Sequence, residues 1–382
     1  MFKIVVDATC VSDKPSGIGC YAINLLSGLY DLKSEYNFDL KITYQPGFRK
    51  FIRGNWQVPS QLSTYKSVCK LQIPGRISNL FYDYFPDQFA NYLENRLNKP
   101  NLVHGTNYYI FPFKEAKKVI TIHDITLLKF PDYIDGVVKQ YYKRIAKCLD
   151  WADLIITVSE SSKEDIVDYL NVSPKKIKVI PLASRFSSIC TPKKADHSFS
   201  LEEYQPFLLF VGNIEPRKNI IGIIKAFNFL KKEYKIDHKL VIVGQKGWKY
   251  TNTLNAMKES NWHHQIYHLD YVSDSELLEL YKKASLLVYP SFYEGFGLPV
   301  VEAMTLGTPV VTSNNSALAE IAKEGALLVN PNNYLDLAHS ILEVITHNGL
   351  RNHLIEKGQI RAKDFSWERT AKQTIETYLS LL

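Results

Sequence analysis

Short apolar runs alternate with longer amphipathic runs along this chain, and the alternation occurs twice within 382 residues. In the first half, the strand-like runs "KIVVDA" and "ADLIITVSE" precede the helical patterns "IGCYAINLLSGLY" and "SSKEDIVDYL". The second half begins the alternation again with "PFLLFVGN", "HKLVIVG" and "SLLVYPS". Strands that alternate with helices predict a parallel sheet covered by helices on both faces. We therefore expect an α/β protein with two doubly wound units.

The polar stretch 187–205 interrupts this alternation, contains Pro192 and shows no clear period, so it predicts a linker. We expect an N-terminal domain over 1–190, a second domain over 206–365, and a C-terminal helix over 366–382 that packs back on the first domain. Two domains in tandem leave a cleft between them. In open parallel sheets, ligands bind beyond the carboxyl ends of the strands.

Helix boundaries in the second half are signalled by residue type. Asp274 is suited to cap one helix, and Pro299 is suited to the first turn of another. Gly307 is suited to the position just after a helix ends.

The composition excludes several classes of protein. A formal charge of +7 favours anions without indicating nucleic-acid binding. Five scattered cysteines without a CxxC pair predict neither a zinc site nor a disulfide framework, and they are typical of a reducing cytosol. The chain shows no signal-peptide pattern and no apolar run near the roughly 20 residues that cross a membrane. We therefore expect a cytoplasmic protein with, at most, peripheral membrane contact.

Two adjacent cations, Arg217 and Lys218, follow a predicted strand at the start of a helix. Helix amides and the helix dipole add to such fixed charges. Arginine can bind two phosphate oxygens at once, whereas lysine acts as a point charge. The pair predicts an anion site, and the alternative is a solvated pair on a surface turn.

The segment "EGFGLPVVE" also follows a predicted strand and contains Glu294, Gly295, Gly297, Leu298 and Glu302. The glycines permit backbone conformations closed to other residues and let a ligand approach the main chain. The amides near Gly297 and Leu298 are free to meet phosphate. Glu302, expected in the first turn of the next helix, is placed to accept hydrogen bonds from a ribose diol, and Glu294 to contact another part of the ligand. A nucleotide-sugar would satisfy all three groups, whereas the alternative is a capping glutamate beside an ordinary turn.

The first half supplies "KPSGIGCY" after its first strand, where Gly17, Gly19 and Ala22 match GxGxxA only weakly. The preceding loop is too long for a dinucleotide turn. We interpret this loop as a flexible, glycine-containing segment that lines the cleft, and the alternative is a plain turn.

His123 follows another strand at the expected cleft rim and could donate a hydrogen bond to a sugar hydroxyl, although most single histidines carry no chemistry. Ser159 is interpreted as a helix cap. The chain contains no DxD motif and no metal-ligand spacing. We therefore expect no metal site and no cofactor, with the leaving diphosphate stabilised by Arg217, Lys218 and helix amides.

Taken together, these segments resemble the retaining glycosyltransferases of family four. The resemblance rests on "GNIEPRKN", on "EGFGLPVVEAMTLGTPVV" with its E-x7-E pair, and on "PSGIGCYAINLL", "HDITLLKFP", "TVSESSKEDI" and "DFSWERTA". It covers nearly the whole chain. It implies the GT-B fold, in which two Rossmann-like domains face each other across a cleft.

The resemblance also implies roles for the matching residues. The diphosphate would be held by Arg217 and Lys218, the ribose by Glu302, and the transferred sugar by Glu294; Gly17 would lie near the phosphates and His123 near the reactive face of the sugar. The loop reads "SGIG" where many relatives carry a double glycine. The choice between Gly17 and Gly19 therefore stays open here.

The same segments resemble enzymes of bacterial O-antigen and other surface polysaccharides, many of which use GDP-mannose. We favour metal-independent transfer of mannose, with retention, to a glycan or polyprenyl-linked acceptor. Donors carrying rhamnose, glucose or N-acetylglucosamine are alternatives. A nucleotide-sugar epimerase, a nicotinamide dehydrogenase and a non-catalytic sugar-nucleotide-binding subunit are alternatives of other classes.

The stretch 40–82 contains no Asp or Glu. It carries seven cations and several aromatic residues: Lys41, Arg49, Lys50, Arg53, Lys66, Lys70, Arg76, Phe48, Phe51, Trp56 and Tyr65. Cations near an anionic leaflet contribute about 1 kcal/mol each to binding. The stretch predicts peripheral contact with the cytoplasmic face of the inner membrane, and the alternative is a solvated basic face or a disordered loop.

Overall fold

The computed structural model describes residues 1–47, 52–54, 57–71, 73, 75–131, 138–187 and 201–382. Most of the predicted linker, together with Phe48, Arg49, Lys50, Phe51 and Trp56 of the basic stretch, lies outside these residues. Two parallel sheets of seven and six strands organise the described chain. The α/β, doubly wound prediction is therefore confirmed.

The first sheet has the spatial order β3-β2-β1-β4-β5-β6-β7, and all its neighbouring strands are parallel. Its strands are β1 (Phe2–Asp7), β2 (Phe38–Tyr44), β3 (Val68–Lys70), β4 (Leu102–Gly105), β5 (Lys117–Thr121), β6 (Leu154–Thr157) and β7 (Ile177–Val179). Its helices are α1 (Gly17–Asp31), α2 (Ser60–Ser63), α3 (Gly75–Tyr84), α4 (Pro86–Arg96), α5 (Thr126–Lys129), α6 (Val138–Trp151) and α7 (Glu160–Leu170).

The second sheet has the order β10-β9-β8-β11-β12-β13, again with parallel neighbours. Its strands are β8 (Phe207–Val211), β9 (Lys239–Val243), β10 (Ile266–Leu269), β11 (Leu286–Tyr289), β12 (Val310–Ser313) and β13 (Leu327–Val329). The remaining helices are α8 (Ile220–Phe229), α9 (Thr251–Glu259), α10 (Asp274–Lys283), α11 (Leu298–Leu306), α12 (Ser316–Ala322), α13 (Tyr334–Thr346), α14 (Asn348–Ala362) and α15 (Trp367–Leu379).

Burial explains why the apolar runs become central strands. Every residue of β8 and of β11 is buried, because helices cover both faces of the sheet. In each sheet the strand order reverses between its first and fourth strands, β1 and β4 in one and β8 and β11 in the other. Loops at the carboxyl ends beside such a reversal form the ligand crevice of doubly wound sheets. The fold thus brings the loops after β8 and β11 together.

Two of the three helix-boundary signals hold. Pro299 lies in the first turn of α11, and Gly307 ends that helix with a φ of 77°. The cap of α10 is Ser273 and not Asp274, since the Ser273 side chain accepts from the Glu276 amide and Glu276 binds back to the Ser273 amide. Asp274 is instead the first residue of the helix.

The C-terminal helix α15 crosses back to the first domain and packs on α1. Gly28 of α1 permits this approach, because a Cβ there would lie 2.6 Å from the Cβ of Ala371. The Tyr378 hydroxyl lies 2.6 Å from Nδ1 of His104, whose Nε2 lies 2.7 Å from the Thr121 hydroxyl. Burial of this polar chain lowers the pKa of His104 to about 3, so the ring is neutral.

No helix among the described residues is both long enough and apolar enough to cross a membrane.

Candidate functional site

A cavity of about 530 Å³ lies between the two sheets, and loops of both domains form its walls. It brings together most of the predicted site residues, namely Gly17, His123, Arg217, Lys218, Glu294, Gly297, Leu298 and Glu302. Gly19 is the exception. In the part of the chain that the structure describes, no group of three or more His, Cys, Asp or Glu side chains could hold a metal ion.

Glu294 sits at the centre of a buried charge cluster. Its Oε1 lies 2.6 Å from Nζ of Lys218, and its Oε2 lies 2.7 Å from Nη1 of Arg217. The hydroxyl of Tyr289 donates to the same Oε1 at 3.0 Å. The two cations predicted as an anion site are therefore both paired with Glu294.

Opposing effects set the ionisation of this cluster. Burial by itself would raise the pKa of Glu294, but Arg217 and Lys218 outweigh that effect and lower the pKa to about 2. Burial lowers the pKa of Lys218. Arg217 also donates to the carbonyl of Tyr293 at 2.6 Å, while its buried Nε has no acceptor among the described residues. The carboxylate is thus ionised at neutral pH, and one arginine donor is left for a ligand oxygen.

Glu302 is the fifth residue of α11, so the expectation that it lies in the first turn is wrong. Its Oε1 accepts from Nε of Arg185 at 2.7 Å, and its Oε2 accepts from the Tyr281 hydroxyl at 2.9 Å. Arg185 also donates to Asp274 at 3.0 Å. Only 1% of Glu302 is exposed. Sequence reasoning missed Arg185, which precedes the linker and belongs to no motif.

The glycines of the turn before α11 serve different purposes. Gly297 has a φ of 102°, which favours glycine. At Gly295 the reason is space, because a Cβ there would lie 2.4 Å from the carbonyl oxygen of His123 and 2.8 Å from the Cβ of Asp124. Gly295 therefore permits the loops of the two domains to approach each other closely, and this was not predicted.

His123 lines the cleft but has only 7% of its surface exposed. Its Nε2 lies 3.0 Å from the carbonyl oxygen of Thr106, so Nε2 carries the proton and donates. The ring meets Tyr21 edge-on at 4.9 Å. Burial lowers the pKa of His123, which keeps the ring neutral. Nδ1 is therefore an acceptor, whereas the sequence suggested that His123 would donate to the sugar.

The two N-terminal glycines are part of α1 and not of a loop. Gly17 begins the helix and faces the second domain, because a Cβ there would lie 3.5 Å from Cδ1 of Leu298. Gly19 faces its own chain, where a Cβ would lie 3.0 Å from the Cβ of Pro15. Gly17 therefore borders the cleft, and the expectation that Gly19 does so is wrong.

Ser159 confirms its predicted capping role, since its hydroxyl accepts from the Ser162 amide at 3.0 Å. The same hydroxyl donates to the Gly295 carbonyl in the other domain at 2.7 Å. That second bond was missed because nothing local in the sequence indicates it.

Tyr289 was also missed, although a tyrosine at the end of an aliphatic strand is a detectable signal.

Comparisons with known proteins agree with this architecture. Residues 193–361 match the model of "Glycosyl transferases group 1", and residues 58–183 match that of "Glycosyltransferase Family 4". O-antigen chain mannosyltransferase B of Escherichia coli is 34% identical over 287 residues, which cover 73% of this chain and 74% of that protein.

Two solved structures share the fold over essentially the whole chain. Sucrose-phosphate synthase from Thermosynechococcus elongatus has a TM-score of 0.76 at 19% identity, covering 100% of this chain and 99% of that one. Anabaena HepE in complex with UDP and glucose has a TM-score of 0.71 at 16% identity, covering 100% of each. This chain therefore belongs to the family-four glycosyltransferases and has the GT-B fold.

Proposed function

We propose that this glycosyltransferase moves mannose from GDP-mannose to a glycan or polyprenyl-linked acceptor during surface polysaccharide synthesis. The observation that carries the proposal is the convergence of Arg217, Lys218, Glu294 and Glu302 in one interdomain cleft. The choice of mannose and of the pathway is supported by the similarity to the O-antigen mannosyltransferase. HepE, which shares the fold, was solved with UDP and glucose, and this supports a nucleotide-sugar donor.

The cation pair is suited to bind and stabilise the diphosphate. Arg217 and Lys218 carry two positive charges at the cleft, and the free Nε of Arg217 provides a further donor. As the bond between the sugar and the diphosphate breaks, negative charge grows on the leaving group. Donors that are already in place stabilise that charge without reorganising. On this basis we propose a metal-independent reaction.

The two acids are suited to bind the two polyol ends of the donor. A carboxylate offers about four lone-pair sites. Arg185 and Tyr281 use one site on each oxygen of Glu302, which leaves acceptor capacity for a ribose diol. Glu294 contacts both members of the cation pair, and we assign it the hydroxyls of mannose. His123 would accept from the sugar through Nδ1.

We further propose that the anomeric configuration is retained. The sugar would pass through an oxocarbenium-like state while GDP leaves, and the acceptor oxygen would attack the same face. Closure of the two domains would exclude water from this state. The resemblance to retaining enzymes and the enclosure of the cleft by both domains support this mechanism.

A donor panel tests the proposal. The protein is screened by thermal shift with GDP-, UDP-, dTDP- and ADP-sugars, where a ligand at 100 times its Kd stabilises by about 2.7 kcal/mol. GDP-mannose should give the largest shift, and a polyprenyl-linked glycan should then be mannosylated with retention, as NMR of the product would show. EDTA should leave turnover unchanged. A shift with a different nucleotide, inversion, or loss of turnover in EDTA would each overturn the corresponding part.

We also infer peripheral contact between the first domain and an anionic leaflet. The end of α3 and the next residue expose an apolar stripe of four side chains at helical spacing. Their exposed fractions are 56% for Leu80, 49% for Phe81, 74% for Tyr84 and 54% for Phe85. Exposed aromatic and aliphatic side chains beside cations are typical of interfacial helices. The stripe overlaps the end of the basic stretch 40–82, whose charge complements anionic lipid.

Liposome sedimentation tests the membrane contact. Phe81→Ser with Phe85→Ser should reduce binding to vesicles that contain phosphatidylglycerol by about tenfold, because each removes apolar surface from the interface. Tyr169→Ser is the matched control, since Tyr169 is an exposed aromatic residue on α7, with 49% of its surface accessible. Equal binding by the double variant and the control would contradict the inference.

A further inference from the structure

The turn that carries Glu294 is held on both sides by the first domain. The hydroxyl of Tyr293, one residue before Glu294, donates to Oδ2 of Asp165 at 2.6 Å. The carbonyl of Gly295, one residue after it, accepts from Ser159 at 2.7 Å. Asp165 lies in α7, and Ser159 caps the same helix. Helix α7 therefore binds the side chain of the residue before Glu294 and the main-chain carbonyl of the residue after it. The Glu294 carboxylate itself belongs to the cation cluster of the other domain.

The contact between Tyr293 and Asp165 is buried and charged. Tyr293 has 2% of its surface exposed, and Asp165 has 7%. The other Asp165 oxygen, Oδ1, accepts from Nζ of Lys129 at 2.7 Å, and that ammonium lies 4.9 Å from the centre of the Tyr293 ring. Hydrogen bonds to ionised groups are shorter and about twice as strong as neutral ones. Asp165 thus joins Lys129 of one domain to Tyr293 of the other.

Two more contacts make α7 a bridge between the domains. The Ser162 hydroxyl lies 3.2 Å from the Gly295 carbonyl and 3.0 Å from the His123 carbonyl. The carboxylate of Glu320, from the second domain, accepts from the first two amides of α7, those of Glu160 and Ser161, at 3.1 Å each. An acid at a helix N-terminus is favourable. The start of α7 is therefore docked on the second domain beside the Glu294 turn.

We propose that Asp165 is a positioning residue which, through the Tyr293 hydroxyl, fixes the main chain of Glu294 for sugar transfer. This inference rests on the proposed function, because it assigns a further residue to that reaction. The consequence is that Glu294 takes its working position only while the two domains are closed. Under the proposed function GDP is held by Arg217, Lys218 and Glu302. Arg217 meets Tyr293 at its carbonyl and not at the hydroxyl that binds Asp165, so GDP binding does not require the bond to Asp165. Loss of the contact should lower kcat and spare GDP affinity.

The experiment compares Tyr293→Phe, Asp165→Ala and Asp165→Asn with the wild type. Tyr293→Phe keeps the buried ring and removes only the hydroxyl, so it preserves the fold. Tyr293→Phe and Asp165→Ala should each lower kcat with GDP-mannose by about tenfold or more, since a displacement near 1 Å can cost a hundredfold. The Kd for GDP, measured by calorimetry, should stay within about twofold. Asp165→Asn keeps an acceptor oxygen and should recover part of the loss.

Two features separate positioning from a general structural effect. The double variant Tyr293→Phe with Asp165→Ala should be no slower than the worse single variant, because both remove the same bond. Tyr169→Phe removes a hydroxyl from an exposed site on α7 and should match the wild type. Hydrogen exchange should rise in residues 291–297 of Tyr293→Phe and stay unchanged in β8 and β11.

Failure of this inference is distinguishable from failure of the proposed function. If the wild-type protein uses no GDP-sugar, the proposed function fails, and hydrogen exchange of residues 291–297 still decides the inference. The inference is overturned if Tyr293→Phe keeps kcat within about twofold of the wild type, if GDP affinity falls in parallel with kcat, or if exchange of the turn is unchanged.

Discussion

The two domains contribute to the cleft in different ways. The second domain supplies two cations and two acids, Arg217, Lys218, Glu294 and Glu302, which follow its strands β8 and β11. The first domain lines the cleft with Lys14, Asp124 and Arg185 and also with neutral groups: the ring of His123, the start of α1 and the hydroxyls beside α7. The buried charge cluster around Glu294 thus belongs to one half, while hydrogen bonds from the other half hold the turn that carries it.

The two acids of the E-x7-E pair show the same division. Glu294 takes its charged partners from its own domain, whereas Glu302 takes Arg185 from the segment that follows the first domain's last strand. Each acid is nonetheless restrained by groups from the first half of the chain. Assembly of the site therefore depends on the contact between the domains as well as on the motif.

The largest effect should follow removal of a cation. We expect Lys218→Ala to lower kcat by about 100-fold or more, as loss of one preorganised donor does elsewhere. It also leaves buried Glu294 with a single close cation. Single-turnover assays with GDP-mannose would measure the effect. Lys225→Ala removes an exposed lysine from α8 and should have no effect. Turnover of Lys218→Ala within threefold of the wild type would show that the charged groups of the second domain do not stabilise the leaving diphosphate.

The next largest effect should be a loss of stability at acid pH, which arises from His104 in the first domain and not from Glu294 in the second. The pKa of His104 is about 3 in the folded protein, whereas its ordinary value is 6.5. Between pH 3 and pH 6.5 the imidazole is therefore protonated in the unfolded chain and neutral in the folded protein. The stabilisation is complete above pH 6.5 and falls as the pH drops toward 3. At pH 4.5 the loss should be about 3 kcal/mol. Glu294, with a pKa of about 2 against 4.5, keeps its contribution above pH 4.5 and loses it only below.

Urea unfolding at pH 7.5 and pH 4.5 would measure this difference. The variant His104→Asn cannot take up the proton, so its stability should change less between the two pH values than that of the wild type. The quantity compared is the difference in unfolding free energy between pH 7.5 and pH 4.5. A loss of stability that the substitution causes equally at both pH values cancels in this difference. Equal pH dependence in both proteins would show that His104 does not titrate as its burial requires.

A smaller effect should distinguish the two acids. Glu302→Gln removes the charge of the acceptor that we propose for the ribose, and we expect the Kd for GDP to rise about tenfold, in line with the loss of one hydrogen bond to a charged group. Calorimetry with GDP measures this without involving the sugar. Glu324→Gln changes an exposed acid outside the cleft and serves as the control. Unchanged GDP affinity would remove Glu302 from the ribose site.

The smallest effect should come from the docked start of α7. Glu320→Gln keeps two polar atoms near the Glu160 and Ser161 amides but loses the charge, and we expect a loss of under about 1 kcal/mol. Thermal unfolding at low and high salt would detect it, since screening weakens such a contribution in the wild type. A loss of several kcal/mol would contradict this expectation and would show that the contact between the domains depends mainly on Glu320.

The sequence predicted the fold and the charged groups because both have local signatures. Apolar periodicity indicates strands such as β8, and a lysine beside an arginine after a strand indicates an anion site. The contacts that hold Glu294 and Glu302 have no such signature, since Arg185, Asp165 and Tyr293 meet only after two distant segments pack together.

The ion pairs within the site could not be predicted from the sequence for the same reason. From the sequence, Arg217 and Lys218 are free cations and Gly295 is a flexible turn residue. In the structure the cations bind Glu294, and Gly295 gives room to the carbonyl of His123. Tertiary contacts determine which group pairs with each charged side chain. They also determine which backbone atoms pack against a glycine.

A crystal structure of the protein with GDP-mannose would show directly how the donor lies in the cleft. We expect the diphosphate against Arg217 and Lys218, the ribose on Glu302, and the mannose beside Glu294 while the Tyr293 hydroxyl stays on Asp165. A nucleotide bound outside the cleft, or a closed complex in which both acids point away from the donor, would contradict it.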